Sequence, residues 1–377
     1  MIAALALSLG GADVRAQGFN SGSDGSLGAL NVTNDLTVAL PPDGILRYTT
    51  VNVAAGKTLS FTPNALNTPV YLLATGDVTI DGAIDVSGGN STSVAGGRGG
   101  PGAFDGGPPG IAGALPGDGK GPGAGKAGGT GGGDTGAGGA AYLDLPIDVS
   151  PNDGTPYGSP LLVPLVGGSG GGGETNGLGG SGGGGAIVIA SNTRISISFN
   201  AVVRAKGGFA DSQNEGSGGA VRFVAPLVAG NGIIDLNGGG RAGAGRCRVD
   251  SIDKTQIQFR MSPNRPNILS IGAFMTVFPP GNPHLDIIAA ADTQIAEGTN
   301  APVVINLPFG SDTNRTVVVQ ARNFNAVVPI EVVLTPDSGP SITLQASIDN
   351  AAANPATVTV PVGFPVNTPV AVNAWRR

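Results

Sequence analysis

Residues 96–141 read GGRGGPGAFDGGPPGIAGALPGDGKGPGAGKAGGTGGGDTGAGGAA, and 67 of the 377 residues are glycine. No side-chain core can be built from such a stretch, because glycine has nothing to bury and loses the most conformational freedom on ordering. A collagen helix needs glycine at every third position; Gly97 and Gly100 keep that phase, and Ala103 and Pro109 break it. Calcium-binding nonapeptides need a recurring Gly-Gly-x-Gly-x-Asp-x-apolar unit, which GGTGGGDTG at 128–136 approaches once, without a repeat. A phosphate loop needs Lys-Ser/Thr at a helix start, and GKAGGT lacks it. Two readings stand: a flexible solvated loop, or polyproline II runs packed side by side, with glycine letting the backbones approach as at the collagen axis.

Outside these blocks the chain is rich in Val, Ile, Leu and Ala, and 40% of all residues are hydrophobic. Related segments recur at 70–89, 186–208, 220–240 and 244–259, with a cognate turn at 45–61. Each holds strands of three to five alternating residues, a small-residue corner and a glycine pair. In DVTIDGAIDV, Val78, Ile80, Ile84 and Val86 can face one way and Asp77, Asp81 and Asp85 the other. Such a unit cannot bury its apolar face alone and must stack on its neighbours. The expected fold is all-β: a right-handed parallel β-helix or solenoid over 17–278, with glycine-rich insertions at 90–141 and 167–185, disordered or in polyproline II. After PGNPH, strand-like runs recur about every ten residues: HLDIIAA, APVVINLPF, RTVVVQARNF, VVPIEVVLTP, SITLQASID, ATVTVPVG and PVAVNAWR. That pattern predicts a C-terminal Ig-like β-sandwich over 283–377, with Trp375 as a core aromatic.

Residues 1–16 carry a short apolar stretch followed by Val14-Arg15-Ala16, a secretory cleavage pattern without its positive leader. No stretch is long and apolar enough to predict a transmembrane segment. The net charge of −6 comes with scattered Lys and Arg, and phosphate neutralisation needs clustered cations, so nucleic acid is not an expected partner. A lone cysteine, Cys247, forms no internal disulfide and reads as a small buried residue. The one histidine, His284, sits beside Pro283 at the domain junction and no nucleophile elbow accompanies it, so no catalytic, metal or cofactor-binding residue is assigned. Calcium is the one ion the carboxylates leave open. Asp77, Asp81, Asp85, Asp235 and Asp250 are the candidate acids, of which Asp81, Asp85 and Asp235 read as solvated-face or corner residues; a polysaccharide lyase or hydrolase would need such acids to converge in one groove.

The stretches YLLATGDVTIDGAIDVSGGN (71–90) and SGGGGAIVIAS (181–191) resemble secreted bacterial glycine-rich β-solenoid proteins of adhesin-like type. They are also similar in style to glycine-rich phage tail-tip adhesins, whose polyproline II bundles carry recognition loops. The resemblance spans about 45–259. It implies a secreted, non-enzymatic surface or matrix protein that meets an extracellular glycan or a surface protein, and it supplies no catalytic residue. The glycine-rich insertions are the expected contact face, at 96–139 and 167–185, marked by Gly96, Phe104, Leu115, Gly139, Gly167 and Gly185. The rivals are a polysaccharide-active enzyme and a self-associating filament or coat subunit.

Overall fold

A computed structural model describes residues 18–111, 113–129, 136–147, 149–175, 177–210, 214–281, 283–299, 302–337 and 339–376. The expected signal peptide at 1–16 lies outside them. Every regular element among the described residues is a strand. The first eight are β1 (Ala29–Val32), β2 (Leu36–Ala39), β3 (Ile45–Tyr48), β4 (Thr50–Val53), β5 (Thr58–Thr62), β6 (Val70–Ala74), β7 (Val78–Ile80) and β8 (Ala83–Asp85). Then follow β9 (Ala186–Ser191), β10 (Arg194–Ile197), β11 (Val202–Arg204), β12 (Ala220–Gly230), β13 (Ile233–Asp235), β14 (Arg246–Asp253), β15 (Arg260–Ser262) and β16 (Leu269–Gly272). The C-terminal strands are β17 (His284–Ala290), β18 (Thr293–Gln294), β19 (Asn314–Arg322), β20 (Val327–Pro336), β21 (Ile342–Asp349), β22 (Ala356–Gly363) and β23 (Val370–Arg376).

The first sixteen strands pair only in parallel. One sheet runs β1-β4-β7-β10-β12-β9-β6-β3, with β14 on β12 and β16 on β14. A second runs β15-β13-β11-β8-β5-β2. Period-two alternation explains the register. Leu46, Leu72, Ile189, Phe223 and Val249 are successive partners across the first sheet. Leu59, Ile84, Val203 and Ile234 are successive partners across the second. These columns meet in one core together with Val51, Val78, Ile195 and Val228. Val78, Ile80, Ile84 and Val86 are all buried in it, and each such side chain contributes about 1.5–3 kcal/mol.

The β-helix with an Ig-like cap is nonetheless not the architecture. A coil that turned at every corner would keep its sides as separate narrow sheets. Instead β12 runs eleven residues, with no glycine before its last, and joins two strand columns. Its residues 220–224 pair with β9 and residues 227–230 with β10. The result is one ten-stranded parallel sheet, nearly closed around a central axis.

The C-terminal strands also depart from expectation. APVVINLPF supplies no strand: residues 302–309 are irregular, Val304 is 81% exposed and the Phe309 side chain projects fully. Pro302 and Pro308 bracket it, and proline cannot donate to a ladder. Two antiparallel sheets form, β18-β17-β19-β22 and β21-β20-β23, around Val317, Val319, Ile330, Val332 and Leu334. An Ig domain groups its third, sixth and seventh strands in the smaller sheet. Here that sheet holds the fourth, fifth and seventh strands after residue 283.

Candidate contact surface

Three glycine-rich excursions leave the second parallel sheet and re-enter the first: β8 to β9, β11 to β12, and β13 to β14. They therefore gather at one corner of the molecule, and there they pack into an ordered bundle. Residues 179–186 show how. Gly179, Gly182 and Gly185 donate their N–H groups to the carbonyls of Thr92, Gly89 and Val86. Gly180, Gly183 and Ala186 donate to Gly107, Phe104 and Pro101. Ser181 and Gly184 donate to Asn214 and Ser217. Donors three residues apart point to one neighbour, and three neighbours surround the strand. That is the period of polyproline II, a helix without internal hydrogen bonds whose amides must find partners outside.

Glycine is demanded by the closeness of these neighbours. A Cβ at Gly180 would fall within 3.0 Å of the Gly171 carbonyl, and one at Gly183 within 3.0 Å of the Gly168 carbonyl. Two exceptions are Ser169 and Ser217, whose hydroxyls bond inside the bundle. Ser169 Oγ accepts from the Gly123 N–H at 3.0 Å, and Ser217 Oγ accepts from the Ser169 N–H at 2.9 Å. Among the described residues of the glycine-rich blocks, the packed reading is therefore the one that forms.

The six marker residues separate accordingly. Gly139, Gly167 and Gly185 are buried, and their backbone belongs to the interior of the bundle instead of presenting a face. Gly96 is half-buried. Phe104 is half-buried and meets Trp375 edge-on, with ring centroids 5.6 Å apart. Trp375 is thus not a core aromatic of the C-terminal sheets but a contact onto the bundle. The Ser341 N–H reinforces that contact by donating to Asp118 Oδ2 at 3.1 Å. Only Leu115, 62% exposed, offers a large side chain to solvent.

Leu115 has company that sequence reasoning missed. Val94 is 70% exposed and Ile111 is 46% exposed. Both sit in short turns, closed by Thr92 N–H to Ala95 and Ala114 N–H to Ile111. The register places these turns at the end of the bundle away from β9. Gly185, adjoining β9, bonds Val86, whereas Gly179 bonds Thr92, six residues further out, or about 19 Å at 3.1 Å per residue. No local signal marks them, since the pairing that brings 94, 111 and 115 to one end is long-range.

The five candidate acids do not converge in one groove; each is engaged by its own neighbours. Asp77 accepts from the Thr193 hydroxyl and Asp81 from the Ser198 hydroxyl. Asp85 lies 3.8 Å from Arg204 Nη1, and Asp235 accepts from Asn237 Nδ2 at 2.6 Å. Asp250 differs from the other four candidates. It is fully buried, takes Nε and Nη2 of Arg222 at 3.1 and 2.9 Å on Oδ2, and takes Arg248 Nε at 2.9 Å on Oδ1. Arg222 Nη2 also donates to the Phe274 and Thr276 carbonyls, tying the 273–278 segment over the outer face of the large sheet. Burial pushes the Arg222 guanidinium below its usual range, against the pull of Asp250.

Glu215 is another buried acid, and its Oε2 accepts no hydrogen bond among the described residues. Burial raises its carboxyl to about 8, despite nearby N–H groups and the Arg241 charge, and Asp153 adds a smaller upward push. Cys247 is buried as expected, and burial pushes its thiol up. Among the described residues no helix is long and apolar enough to cross a membrane. No protein-family model matches the chain, and no curated protein or solved structure matches it either.

Proposed function

We propose that this is a secreted, non-enzymatic contact protein whose parallel sheets hold a glycine-rich bundle that presents its outer turns to a partner on a cell or matrix surface. The observation that carries this reading is the position of Val94, Ile111 and Leu115, three solvent-facing aliphatic side chains on or just after turns at one end of a rigid support. Apolar groups held out together in this way mark interaction sites. A support of fixed backbones lowers the ordering cost that a flexible loop would incur on binding. Aliphatic tips favour a protein surface over a glycan. The local pairing of the acids supports contact over catalysis.

Removing 96–139 would not test this, because residues 101, 104 and 107 supply acceptors to residues 186, 183 and 180. The test is Val94→Ser, Ile111→Ser and Leu115→Ser combined, with labelled protein bound to intact bacterial and host cells before and after surface proteolysis. The expected outcome is an unchanged circular dichroism spectrum, at least a tenfold loss of binding, and an equal loss when wild-type protein meets proteolysed cells. Binding that survives the triple substitution contradicts the tip reading. Binding that survives proteolysis and falls after periodate treatment moves the partner to a glycan.

A further inference from the structure

We propose that His284, Asp286 and Glu297 form a binding site for a divalent d-block cation of the Zn2+ class. His284 and Asp286 are two residues apart on β17, which places both on one side of the strand. Glu297 reaches them from the segment after β18, and one ligand atom from each residue falls within 4.8 Å of the others. His284 Nε2 and Asp286 Oδ2 are 3.3 Å apart. That matches the spacing of two ligands on a tetrahedral ion with bonds of about 2.0–2.2 Å. Asp286 Oδ2 is shut off from solvent and accepts no hydrogen bond among the described residues, so a buried oxygen points at the imidazole with its lone pairs unused.

Arg322 is cross-strand from His284 and holds Glu297 by two hydrogen bonds, with Nη2 to Oε2 at 2.6 Å. Each carboxylate oxygen keeps a second lone pair. The guanidinium therefore orients the carboxylate, as hydrogen-bonded partners of ligating carboxylates do at metal sites. Two carboxylates and one guanidinium leave a single net negative charge, which suits a dication. An imidazole nitrogen in the set selects Zn2+, Cu2+ or Ni2+ over Ca2+ and Mg2+. The three side chains are between 25% and 43% exposed, leaving the cluster open to an incoming ion and to water as a further ligand.

The experiment is titration of the tag-free, chelator-treated full chain with ZnCl2 and, separately, CaCl2 by calorimetry, with the histidine ring followed by NMR. His284 is the only histidine, so its ring resonances need no assignment. The expected result is one equivalent of Zn2+, no heat with Ca2+, displaced ring resonances, and affinity at least tenfold weaker in His284→Ala and in Asp286→Asn. Ring resonances that stay put under saturating ZnCl2, or Zn2+ affinity unchanged in both variants, would overturn the site. The ring signal is read on the wild-type chain, so it tests the site whether or not either variant folds.

Discussion

Ile195 and Gly180 lie fifteen residues apart and both are buried, yet they are held in place by different physics. Around Ile195 the backbone is satisfied within a parallel ladder to β7 and β12, and the side chain fills a shared aliphatic core. Around Gly180 there is no side chain to bury. The strand is held by amides donated to three neighbours, at distances that leave no room for a methyl group. The first region tolerates volume change by degrees, because neighbouring side chains can shift. In the second, the atoms on every side are backbone, and a single carbon displaces a strand.

The largest difference is expected from adding a methyl group at Gly180. Gly180→Ala should cost at least about 3 kcal/mol, the upper end for overpacking, and abolish order through 89–110 and 167–185. Gly363→Ala, where a Cβ would meet nothing within 4 Å, should stay within about 0.5 kcal/mol of wild type. Thermal and urea unfolding measure both. Removing methyl groups at Ile195 should do less local damage: Ile195→Ala is expected to cost about 2–5 kcal/mol of global stability and leave the bundle amides bonded. A Gly180→Ala variant as stable as wild type would erase the distinction.

A gradual, pH-dependent effect concerns an acid buried in the bundle with an unmatched oxygen. Glu215 has its carboxyl raised from 4.5 to about 8 in the fold. The folded chain therefore keeps a proton that the unfolded chain gives up above about pH 4.5, and stability falls as pH rises from there to about 8. The loss is at most about 5 kcal/mol. Midpoint temperatures recorded from pH 5 to 9 should decline for wild type and flatten for Glu215→Gln. A parallel decline in both would assign the slope to other groups.

The two regions also differ in how much of them the sequence reveals. Alternation in DVTIDGAIDV identifies its buried residues, because a strand's two faces differ in polarity. It does not reveal that Asp250 is buried, because the 273–278 segment that covers it on the outer face of the sheet comes from elsewhere in the chain. The glycine blocks carry no such code. Polyproline II packing needs only small residues at close approaches, a pattern equally compatible with a loose linker, so composition leaves both readings open. The gathering of Val94, Ile111 and Leu115 depends on which strand neighbours which, and no local residue records it. In the C-terminal region, evenly spaced strand-like runs suggest seven strands of one kind. Two prolines remove 302–309 from that set, and the two-residue β18 takes its place.

Amide hydrogen exchange on the wild-type chain, resolved across 179–186, tests the ordered bundle most directly. If the glycine amides are fixed by their three neighbours, they should exchange as slowly as those of β9 and β12 and open only with global unfolding. Exchange of these amides at the rate of an unstructured peptide, beside a protected β9, would contradict the bundle and remove the support from its outer turns.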